Sequence, residues 1–481
     1  MNIILLIGIP GSGKSFFAKS YSQEKGIRIV STDWVRAHYE GIEEKEVWPM
    51  VYKELGKSIE RKEDVIFDAT SATPKVRERL INNIKELTGF IHHQDYEIKT
   101  FFFPTGAVSC VKRVSKRNKM QGELYIPLDV IPSYGKTIIP PTYDEGFSEC
   151  KVVSNVPELI KEYGDDSFHG YALYYKDPNN FDEVLEEYSG FSDINDFTPV
   201  KDTACFRLAS VSKQFIAYGI CKLVHDGLLS LDDKLFDIFT GMPEYTKNIT
   251  VKNLLNHTSG IHDYDEEMEH GEEQVHDEDV LEWVKKNTSD TYFEIGTKYQ
   301  YSNTAYILLG LIIKEKSKMS IGEYMDKNVF KPLEMFDTKV NYEPITEFNH
   351  RSYGTNYVNG KLVKQDQYWC SATIGDGGIY SNIIDLKKWV KHIQELENME
   401  YPFNLMVKPN IIGETNTEYG FGLRIKEFNG HKIIYHNGFT IGTHTSLGFI
   451  KDLDVEFIFL INEGSTSADI FIENIIKKYS K

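Results

Sequence analysis

A glycine-rich segment near the start of the chain, GIPGSGKS at residues 8–15, has the residue types and spacing of a phosphate-binding loop. An apolar run over 2–7 precedes it and a helical pattern follows, which is the context that such a loop requires. Its glycines let backbone N–H groups converge on phosphate oxygens, Lys14 adds a positive charge, and the Ser15 hydroxyl suits Mg²⁺. We therefore expect this loop to bind a phosphate group together with Mg²⁺. The expected contacts are Gly8, Pro10, Gly11, Ser12, Gly13, Lys14 and Ser15.

Two carboxylates are predicted to lie beside this loop. The β-prone runs 28–33 and 64–70 carry Asp33 and Asp68 toward their carboxyl ends. In an open α/β sheet, ligands bind outside the carboxyl ends of the strands. Arg36 follows three residues later, on the same helical face if a helix begins there. Asp33 would then act as a base, and Arg36 would contact an anion.

Two groups of arginines extend this predicted site. Arg113 and Arg117 lie four residues apart in a basic helical segment, so they share one face of the helix. They would contact phosphate or lie on the surface. Arg77 and Arg79 follow the third strand on another predicted helix, where they would either reach the phosphates or be solvated charges.

The segments GIPGSGKS, STD-x-x-R, FDAT, the KR-x-x-KR helix and PPTYDEGF together resemble the 5′-hydroxyl polynucleotide kinase type of P-loop phosphotransferase. The resemblance covers about residues 1–155 and implies phosphoryl transfer from ATP to a hydroxyl acceptor. The acceptor stays open, since related kinases phosphorylate sugars, nucleotides or small acids. The roles that it implies are base for Asp33, acceptor-phosphate contact for Arg36, magnesium site for Ser15 and Asp68, and lid arginine for Arg113 or Arg117.

A second reactive pair is Ser210-Val-Ser-Lys213, at the start of a predicted helix that runs to about residue 225. The two side chains project from one face of the first turn. A serine hydroxyl becomes a strong nucleophile when a neighbour takes its proton, and a lysine in a partly dry site can do so. Short Ser/Lys spacings recur by chance, so the assignment depends on other segments.

Two other segments supply that context: Tyr301-Ser-Asn303 and the strand-like His436-Asn-Gly438. Two β-rich runs that follow Gly438 predict a hairpin. With LLNHTSGI at 254–261 and GDGGIYSNIIDLKKW at 375–389, they resemble the serine β-lactamase and penicillin-binding-protein superfamily, in its class C-like branch. The resemblance implies acyl transfer through a serine ester. The roles that it implies are nucleophile for Ser210, proton transfer for Lys213 and Tyr301, orientation for Asn303, and an oxyanion hole from the N–H groups of Ser210 and Phe439 beside Gly438.

His436 stands where lactamases carry Lys-Thr-Gly, which favours esters, amides or D-amino-acid peptides over penicillins as substrates. The acidic stretch 262–279 lacks the spacing of a metal site and is expected to be a solvated loop. The five cysteines show neither metal-ligand spacing nor the density of a disulfide scaffold, which indicates reduced thiols. With no signal peptide expected, these features predict a cytoplasmic protein.

The 481 residues are 41% hydrophobic and 26% charged, typical of a folded chain of two to four domains. We expect an α/β P-loop NTPase domain with a parallel sheet and flanking helices over 1–155 and a linker over 156–166. An α+β β-lactamase-like domain, with an antiparallel sheet and a helical subdomain, is expected over 167–481.

The net charge also differs between the two predicted domains, and this difference limits the possible partners. Residues 1–155 hold 22 basic and 20 acidic side chains, a net charge of +2, which leaves 32 basic and 52 acidic, a net charge of −20, for the rest. This balance argues against a protein that coats nucleic acid or anionic membrane. The expected partners are small molecules and at most a short nucleic-acid 5′ end, with no membrane and no evident protein partner.

Three interpretations of the whole chain remain open at this point. In the first, both parts are enzymes. In the second, only the hydrolase part is catalytic and the P-loop part is an ATP-dependent regulator. In the third, the chain is a binding protein whose hydrolase site has degenerated.

Overall fold

The computed structural model describes residues 1–39, 41–87, 96–120, 125–153, 169–178, 184–343, 347–467 and 469–480. Two compact units are present: the N-terminal unit, Met1–Gly170 with Glu187–Lys201, and the C-terminal unit, Tyr171–Glu186 with Asp202–Lys481. The predicted linker 156–166 lies outside the described residues.

The bounds of the regular elements are as follows. The strands are β1 (Asn2–Ile7), β2 (Arg28–Ser31), β3 (Val65–Asp68), β4 (Glu97–Phe102), β5 (Glu149–Val152), β6 (Tyr171–Lys176), β7 (Val184–Ser189), β8 (Phe191–Asp193), β9 (Thr198–Pro199), β10 (Phe206–Arg207), β11 (Lys339–Val340), β12 (Thr355–Val358), β13 (Lys361–Lys364), β14 (Ile379–Ser381), β15 (Ile411–Ile412), β16 (Thr415–Asn416), β17 (Arg424–Phe428), β18 (His431–Thr440), β19 (Thr443–Ile450) and β20 (Val455–Ile461). The α-helices are α1 (Lys14–Lys25), α2 (Thr32–His38), α3 (Glu44–Glu60), α4 (Pro74–Leu87), α5 (Ala107–Arg117), α6 (Val130–Thr137), α7 (Ser212–His225), α8 (Leu235–Ile238), α9 (Val251–Leu255), α10 (Tyr264–Glu267), α11 (Asp277–Asn287), α12 (Asn303–Ser317), α13 (Ile321–Met325), α14 (Ile383–Ile393) and α15 (Asp469–Tyr479).

The N-terminal unit is built on a five-stranded sheet in the order β2-β3-β1-β4-β5, in which every neighbouring pair is parallel. β1 is apolar on both faces: Ile3, Leu5 and Ile7 pack into one hydrophobic core, and Ile4 and Leu6 into another. A parallel sheet covered on both faces requires this continuous apolar run. The predicted α/β class of this part is confirmed.

The boundary between β2 and α2 differs from the prediction. The strand ends at Ser31, because the Ser31 side chain accepts a hydrogen bond from the Trp34 N–H and caps the helix. Asp33 therefore lies in the first turn of α2 instead of at the end of a strand. Asp68 is the last residue of β3, as expected.

The C-terminal unit contains a six-stranded sheet in the order β17-β18-β19-β20-β6-β7. Its pairs from β17 through β6 are antiparallel, and β19 and β20 form the predicted hairpin. α14 packs against the sheet, while the almost entirely buried α7 packs against α12. The predicted α+β class is confirmed. Within the described ranges, no helix combines the length and the apolar character needed to span a bilayer.

Candidate active sites

The loop between β1 and α1 has a conformation that only glycine adopts without strain. Gly11 and Gly13 have φ values of +89° and +101°. A Cβ atom on Gly11 would lie 2.7 Å from the backbone oxygen of Cys110. The backbone of the loop can therefore approach a phosphate closely, without side chains in between, as a phosphate cradle requires.

Lys14 opens α1 and folds back over this loop. Its Nζ donates hydrogen bonds to the carbonyl oxygens of Gly8 at 2.8 Å and Ile9 at 3.1 Å. Burial lowers the pKa of Lys14, and the nearby carboxylate of Asp68 partly opposes that shift. A bound phosphate would add the negative charge that this buried ammonium lacks.

Ser15 and Asp68 form the donor set expected for magnesium. The Ser15 hydroxyl donates to Asp68 Oδ2 at 2.7 Å, which brings the start of α1 to the end of β3. Hydroxyl and carboxylate oxygens suit Mg²⁺, which keeps several waters and needs few protein ligands. The residues thus fit Mg²⁺ and a nucleotide. No cluster of three or more His, Cys, Asp or Glu side chains suited to a metal occurs in the described ranges.

Asp33 and Arg36 lie together on the exposed side of α2. Arg36 Nη1 is 3.2 Å from Asp33 Oδ1, and the same guanidinium makes two hydrogen bonds to Glu44. Asp33 keeps its other carboxylate oxygen available to an acceptor hydroxyl. Arg36 would have to exchange part of its pairing with Glu44 to hold an acceptor phosphate.

The two expected lid arginines have different surroundings. Arg113 pairs with Glu187 at 2.8 Å. In Arg117, Nε and Nη2 are buried and have no hydrogen-bond partner among the described residues. The charge of Arg117 also contributes to the lowered pKa of Lys14, which places it near the phosphate loop. Of these two arginines, we therefore expect Arg117 to donate its Nε and Nη2 hydrogens to the nucleotide.

Arg77 occupies neither of its expected positions. Its side chain is completely buried and makes a two-pronged ion pair with Glu145, with both N···O distances at 2.7 Å. Its other hydrogen bonds go to carbonyl oxygens, which leaves no donor for a phosphate. Arg77 thus ties α4 to the segment around Glu145, whereas Arg79 is exposed.

Ser210 lies in a 3₁₀ turn, Ala209–Val211, directly before α7. Ala209 has a φ of +48°, an uncommon conformation for a non-glycine residue. β18 passes this turn closely, since a Cβ on Gly438 would meet the Leu208 oxygen at 2.3 Å. Only glycine at position 438 lets the strand approach the turn that carries Ser210.

Lys213 is fully buried beneath Ser210 and contacts three separate parts of the chain. Its Nζ donates to Ser210 Oγ at 3.1 Å, to Asn303 Oδ1 at 2.8 Å and to the Asp376 carbonyl oxygen at 2.9 Å. Three acceptors match the three N–H donors of a lysine ammonium. The structure thus brings Ser210, Lys213 and Asn303 together.

A cavity of about 410 Å³ opens above this group, with Ser210, Asn303 and Phe439 in its wall. Tyr301 is not one of the lining residues, but its ring centre lies 4.9 Å from Lys213 Nζ. The Tyr301 hydroxyl is buried and makes no hydrogen bond to any described residue. The structure therefore places Tyr301 beside Lys213, but not in hydrogen-bond contact with Ser210.

His436 is also buried and is not one of the residues that line the cavity. Its Nδ1 lies 2.6 Å from the Asn437 carbonyl oxygen, and its Nε2 lies 3.1 Å from the Tyr419 hydroxyl. Burial, followed by the charge of Arg424, holds the pKa of His436 well below its usual value. A neutral histidine offers no cation to a substrate carboxylate.

Sequence reasoning missed polar residues in the cavity wall. Asp376 accepts a hydrogen bond from the Tyr264 hydroxyl at 2.8 Å, and Asp265 accepts one from Asn303 Nδ2 at 3.3 Å. Arg207 donates through Nε to the Gly377 oxygen at 3.2 Å. The sequence feature that could have identified Asp376 is its position as a charged residue between glycines in the segment GDGG at 375–378.

The expectation of a solvated loop over 262–279 is wrong for several of its carboxylates. Asp263 is buried and accepts the N–H groups of Asn303 and Thr304 at the start of α12. Asp277 is buried and accepts two backbone N–H groups of the segment that leads to Asp376. These two carboxylates position the elements that carry the site.

Two family models match consecutive parts of the chain. The beta-lactamase family model matches residues 160–475, and the AAA domain model matches residues 3–134. The chain belongs to the beta-lactamase family and carries an N-terminal segment that matches the AAA domain.

Individual proteins also resemble this chain. Penicillin-binding protein 4* of Bacillus subtilis (strain 168) is 28% identical over 303 residues, which cover 58% of this chain and 66% of the relative. The chain thus spans about two thirds of that relative's length. D-amino acid amidase from Ochrobactrum anthropi SV3 has a TM-score of 0.54 and 22% identity over 65% of this chain and 94% of its own. Penicillin binding protein from Bacillus halodurans has a TM-score of 0.55 and 23% identity over 66% and 97%. The predicted resemblance to both families is confirmed.

Proposed function

We propose that the C-terminal unit is a serine hydrolase that cleaves an ester, an amide or a D-amino-acid peptide through an acyl-serine on Ser210. The observation that carries this proposal is the position of Lys213 Nζ, which contacts Ser210 Oγ below an open cavity. The names of the similar amidase and penicillin-binding proteins support the choice of substrates. Because His436 is neutral and buried, binding of a penicillin carboxylate at this position is disfavoured.

The proposed reaction has two halves. Lys213 in its neutral form takes the hydroxyl proton as Ser210 Oγ attacks the carbonyl carbon, and the resulting ammonium is held by Asn303 and the Asp376 carbonyl. The proton then passes to the leaving group as the bond to the acyl carbon breaks. Water attacks the ester in the second half and releases the acid and Ser210. Tyr301 lies beside Lys213, and its hydroxyl makes no hydrogen bond within the described ranges, so it would assist these proton transfers.

Negative charge on the former carbonyl oxygen requires donors in the same cavity. Ser210 and Phe439 both lie in its wall, and we propose that their backbone N–H groups bind this oxygen. Donors that are in place before the reaction are usually the largest single contribution to catalysis. Gly438 makes this arrangement possible, because it lets β18 reach the Ser210 turn.

Hydrolysis of chromogenic esters and D-amino-acid anilides tests the proposal. We expect turnover by the wild type and a loss of at least about 10³-fold in Ser210→Ala, because the acyl-serine cannot form. Ser480→Ala, an exposed serine in the last residues of the chain, is the matched control and should keep full activity. Equal activity of Ser210→Ala and the wild type would exclude the mechanism.

For the N-terminal unit, we propose transfer of the ATP γ-phosphoryl group to a hydroxyl acceptor. The glycine cradle, the buried Lys14 and the Ser15–Asp68 pair support it. Bound Mg²⁺ would neutralise phosphate charge there. Asp33 would take the acceptor proton, and Arg117, with its unused donors, would contact the transferring group.

The net charge of the chain favours a small acceptor, such as a mononucleotide, a short 5′-hydroxyl oligonucleotide or a small metabolite. Labelled γ-phosphate should be offered with oligonucleotides of rising length, nucleosides and sugars. We expect transfer to small acceptors and loss of transfer in Asp33→Asn. Activity that grows with strand length at physiological salt contradicts the proposed acceptor, and activity that survives in Asp33→Asn contradicts the proposed base.

We also propose that the protein acts in the cytoplasm on small molecules. All five cysteines are unpaired. Burial raises the pKa of the Cys110 and Cys205 thiols to about 12, which keeps them protonated and unreactive. Reduced structural thiols of this kind suit a reducing compartment.

A further inference from the structure

The wall of the cavity above Ser210 includes a carboxylate oxygen to which no described residue donates a hydrogen bond. Asp376 is only 9% exposed, and its Oδ2 accepts the Tyr264 hydroxyl at 2.8 Å. Its Oδ1 is buried and has no hydrogen-bond partner in the part of the chain that the structure describes. An unpaired buried carboxylate oxygen is costly, so this oxygen should be satisfied by a ligand.

Asp376 is close to the reacting group through its own backbone. Lys213 Nζ contacts both the Asp376 carbonyl oxygen, at 2.9 Å, and Ser210 Oγ, at 3.1 Å. A second carboxylate, Asp265, reaches the same group through Asn303, which bonds both Lys213 and Asp265. Two acidic side chains in one cavity wall therefore lie near the point of attack.

The charges in this wall favour a cation. Burial raises the pKa of Asp265, and the negative charge of Asp376 raises it further. Arg207 is the guanidinium in the same wall, and its Nε is held by the Gly377 oxygen. Its Nη1 is buried and makes no hydrogen bond to the residues that the structure describes, so it offers a donor of its own. With Lys213 neutral, as the proposed reaction requires, two carboxylates against one guanidinium leave the site with a net negative charge during attack.

We propose that Asp376, with Asp265, binds a protonated amino group adjacent to the carbonyl that Ser210 attacks. The inference rests on the proposed hydrolase function and narrows its substrates to amides, esters or peptides of an amino acid whose own amine is free. Such an amine is attached to the carbon next to the carbonyl, so it must lie near Ser210 during attack. An ammonium supplies both the positive charge and the N–H donors that Asp376 Oδ1 lacks.

Four substrates with one leaving group test this specificity: the p-nitroanilides of D-alanine, of L-alanine, of N-acetylalanine and of N-succinylalanine. We expect kcat/KM for the free amine to exceed that of the acetylated compound by at least about 10-fold, as for a charge-assisted hydrogen bond. In Asp376→Asn this ratio should fall by about 10-fold. Asp265→Asn, at a more exposed position, should lower it as well and serves if Asp376→Asn does not fold. Glu266→Gln, exposed on the same helix and outside the cavity wall, is the control whose ratio should not change.

Each other outcome has a definite meaning. Equal rates for the free and acetylated amines would overturn the inference, as would an unchanged ratio in both Asp376→Asn and Asp265→Asn. Preference for the succinyl compound would show that Arg207 binds an anion instead. If Ser210-dependent hydrolysis is seen with none of these anilides and with no simple ester, the proposed function itself has failed, and the inference fails with it.

Discussion

Each unit buries a lysine at its candidate site, and the two lysines are held in different ways. Lys14 donates to the carbonyls of Gly8 and Ile9, which belong to its own loop. Lys213 donates to Ser210, Asn303 and Asp376, of which the last two lie 90 and 163 residues away along the chain. The loop that holds Lys14 is a local structure, whereas the contacts of Lys213 exist only when the whole unit has folded. A local motif therefore reveals the first site more completely than the second.

The largest expected effect concerns the lysine that joins distant segments. Lys213→Met should lower hydrolysis by about 10³-fold or more, since it removes the proton acceptor and the contact between Ser210 and Asn303. Nucleotide binding by the N-terminal unit should persist. Lys222→Met, in the same helix but paired with Asp226 at the surface, is the matched control. Retained hydrolysis in Lys213→Met would show that catalysis does not require this lysine, so Lys213 could no longer be compared with Lys14 as the lysine of a reactive site.

Arg77 extends the comparison to a buried cation with a structural role. Arg77→Ala leaves Glu145 without its partner, and removal of one member of a buried pair costs about 3–5 kcal/mol. Arg79→Ala, two residues along the same helix but exposed, should change the free energy of unfolding by less than about 0.5 kcal/mol. Denaturant unfolding of both variants measures the difference. Similar stabilities would show that Arg77 is not a structural cation.

Lys14→Ala should weaken ATP binding by about 10- to 100-fold, as expected for the loss of a charged hydrogen-bond donor to phosphate. Hydrolysis by the C-terminal unit should not change. Lys19→Ala, exposed on the same helix, should bind ATP normally. Calorimetric titration with Mg²⁺-ATP measures these affinities. Normal binding by Lys14→Ala would show that the loop is not the nucleotide site.

The smallest effect is a pH dependence of stability that comes from Asp263. Burial raises the pKa of this carboxyl from 3.8 to about 6, against the hydrogen bonds from the N–H groups of Asn303 and Thr304. The folded state therefore holds the proton more tightly, and this contribution to stability is lost as pH rises through about 6. Between pH 5 and 7 the free energy of unfolding should fall by about 1 kcal/mol through this group.

Asp263→Asn should lack this part of the pH dependence, because an amide does not titrate. Chemical unfolding of the wild type and the variant at both pH values gives the comparison. The facing groups Asp265 and Lys213 are present in both proteins, so they do not account for a difference. Parallel pH profiles would show that Asp263 is already ionised at pH 5.

The two sites differ in how far the sequence predicts them. The phosphate loop could be predicted residue by residue, because its glycines, Lys14 and Ser15 are contiguous and their conformation is local. The order of Ser210, Lys213 and Asn303 was also sufficient to bring them together. Arg77 was misjudged because burial against Glu145 does not show in a helical charge pattern.

Asp376 was missed because its role depends on the approach of a distant segment to Lys213. Similarly, the stretch 262–279 is acidic in composition, yet Asp263 and Asp277 accept backbone N–H groups that only the folded chain presents to them. Composition predicts solvation for such residues, and the tertiary structure overrides it. The N-cap by Ser31, by contrast, was a local signal that could have shifted the predicted start of α2.

Covalent labelling of the serine tests the central claim most directly. A fluorophosphonate phosphonylates an activated serine with loss of fluoride, and peptide mass spectrometry locates the adduct. We expect the adduct on Ser210, with no labelling of Ser210→Ala and labelling of the wild type both with and without Mg²⁺-ATP. An adduct on a different residue, or one that persists in Ser210→Ala, would contradict the assignment of Ser210 and Lys213 as the nucleophile and its activating base.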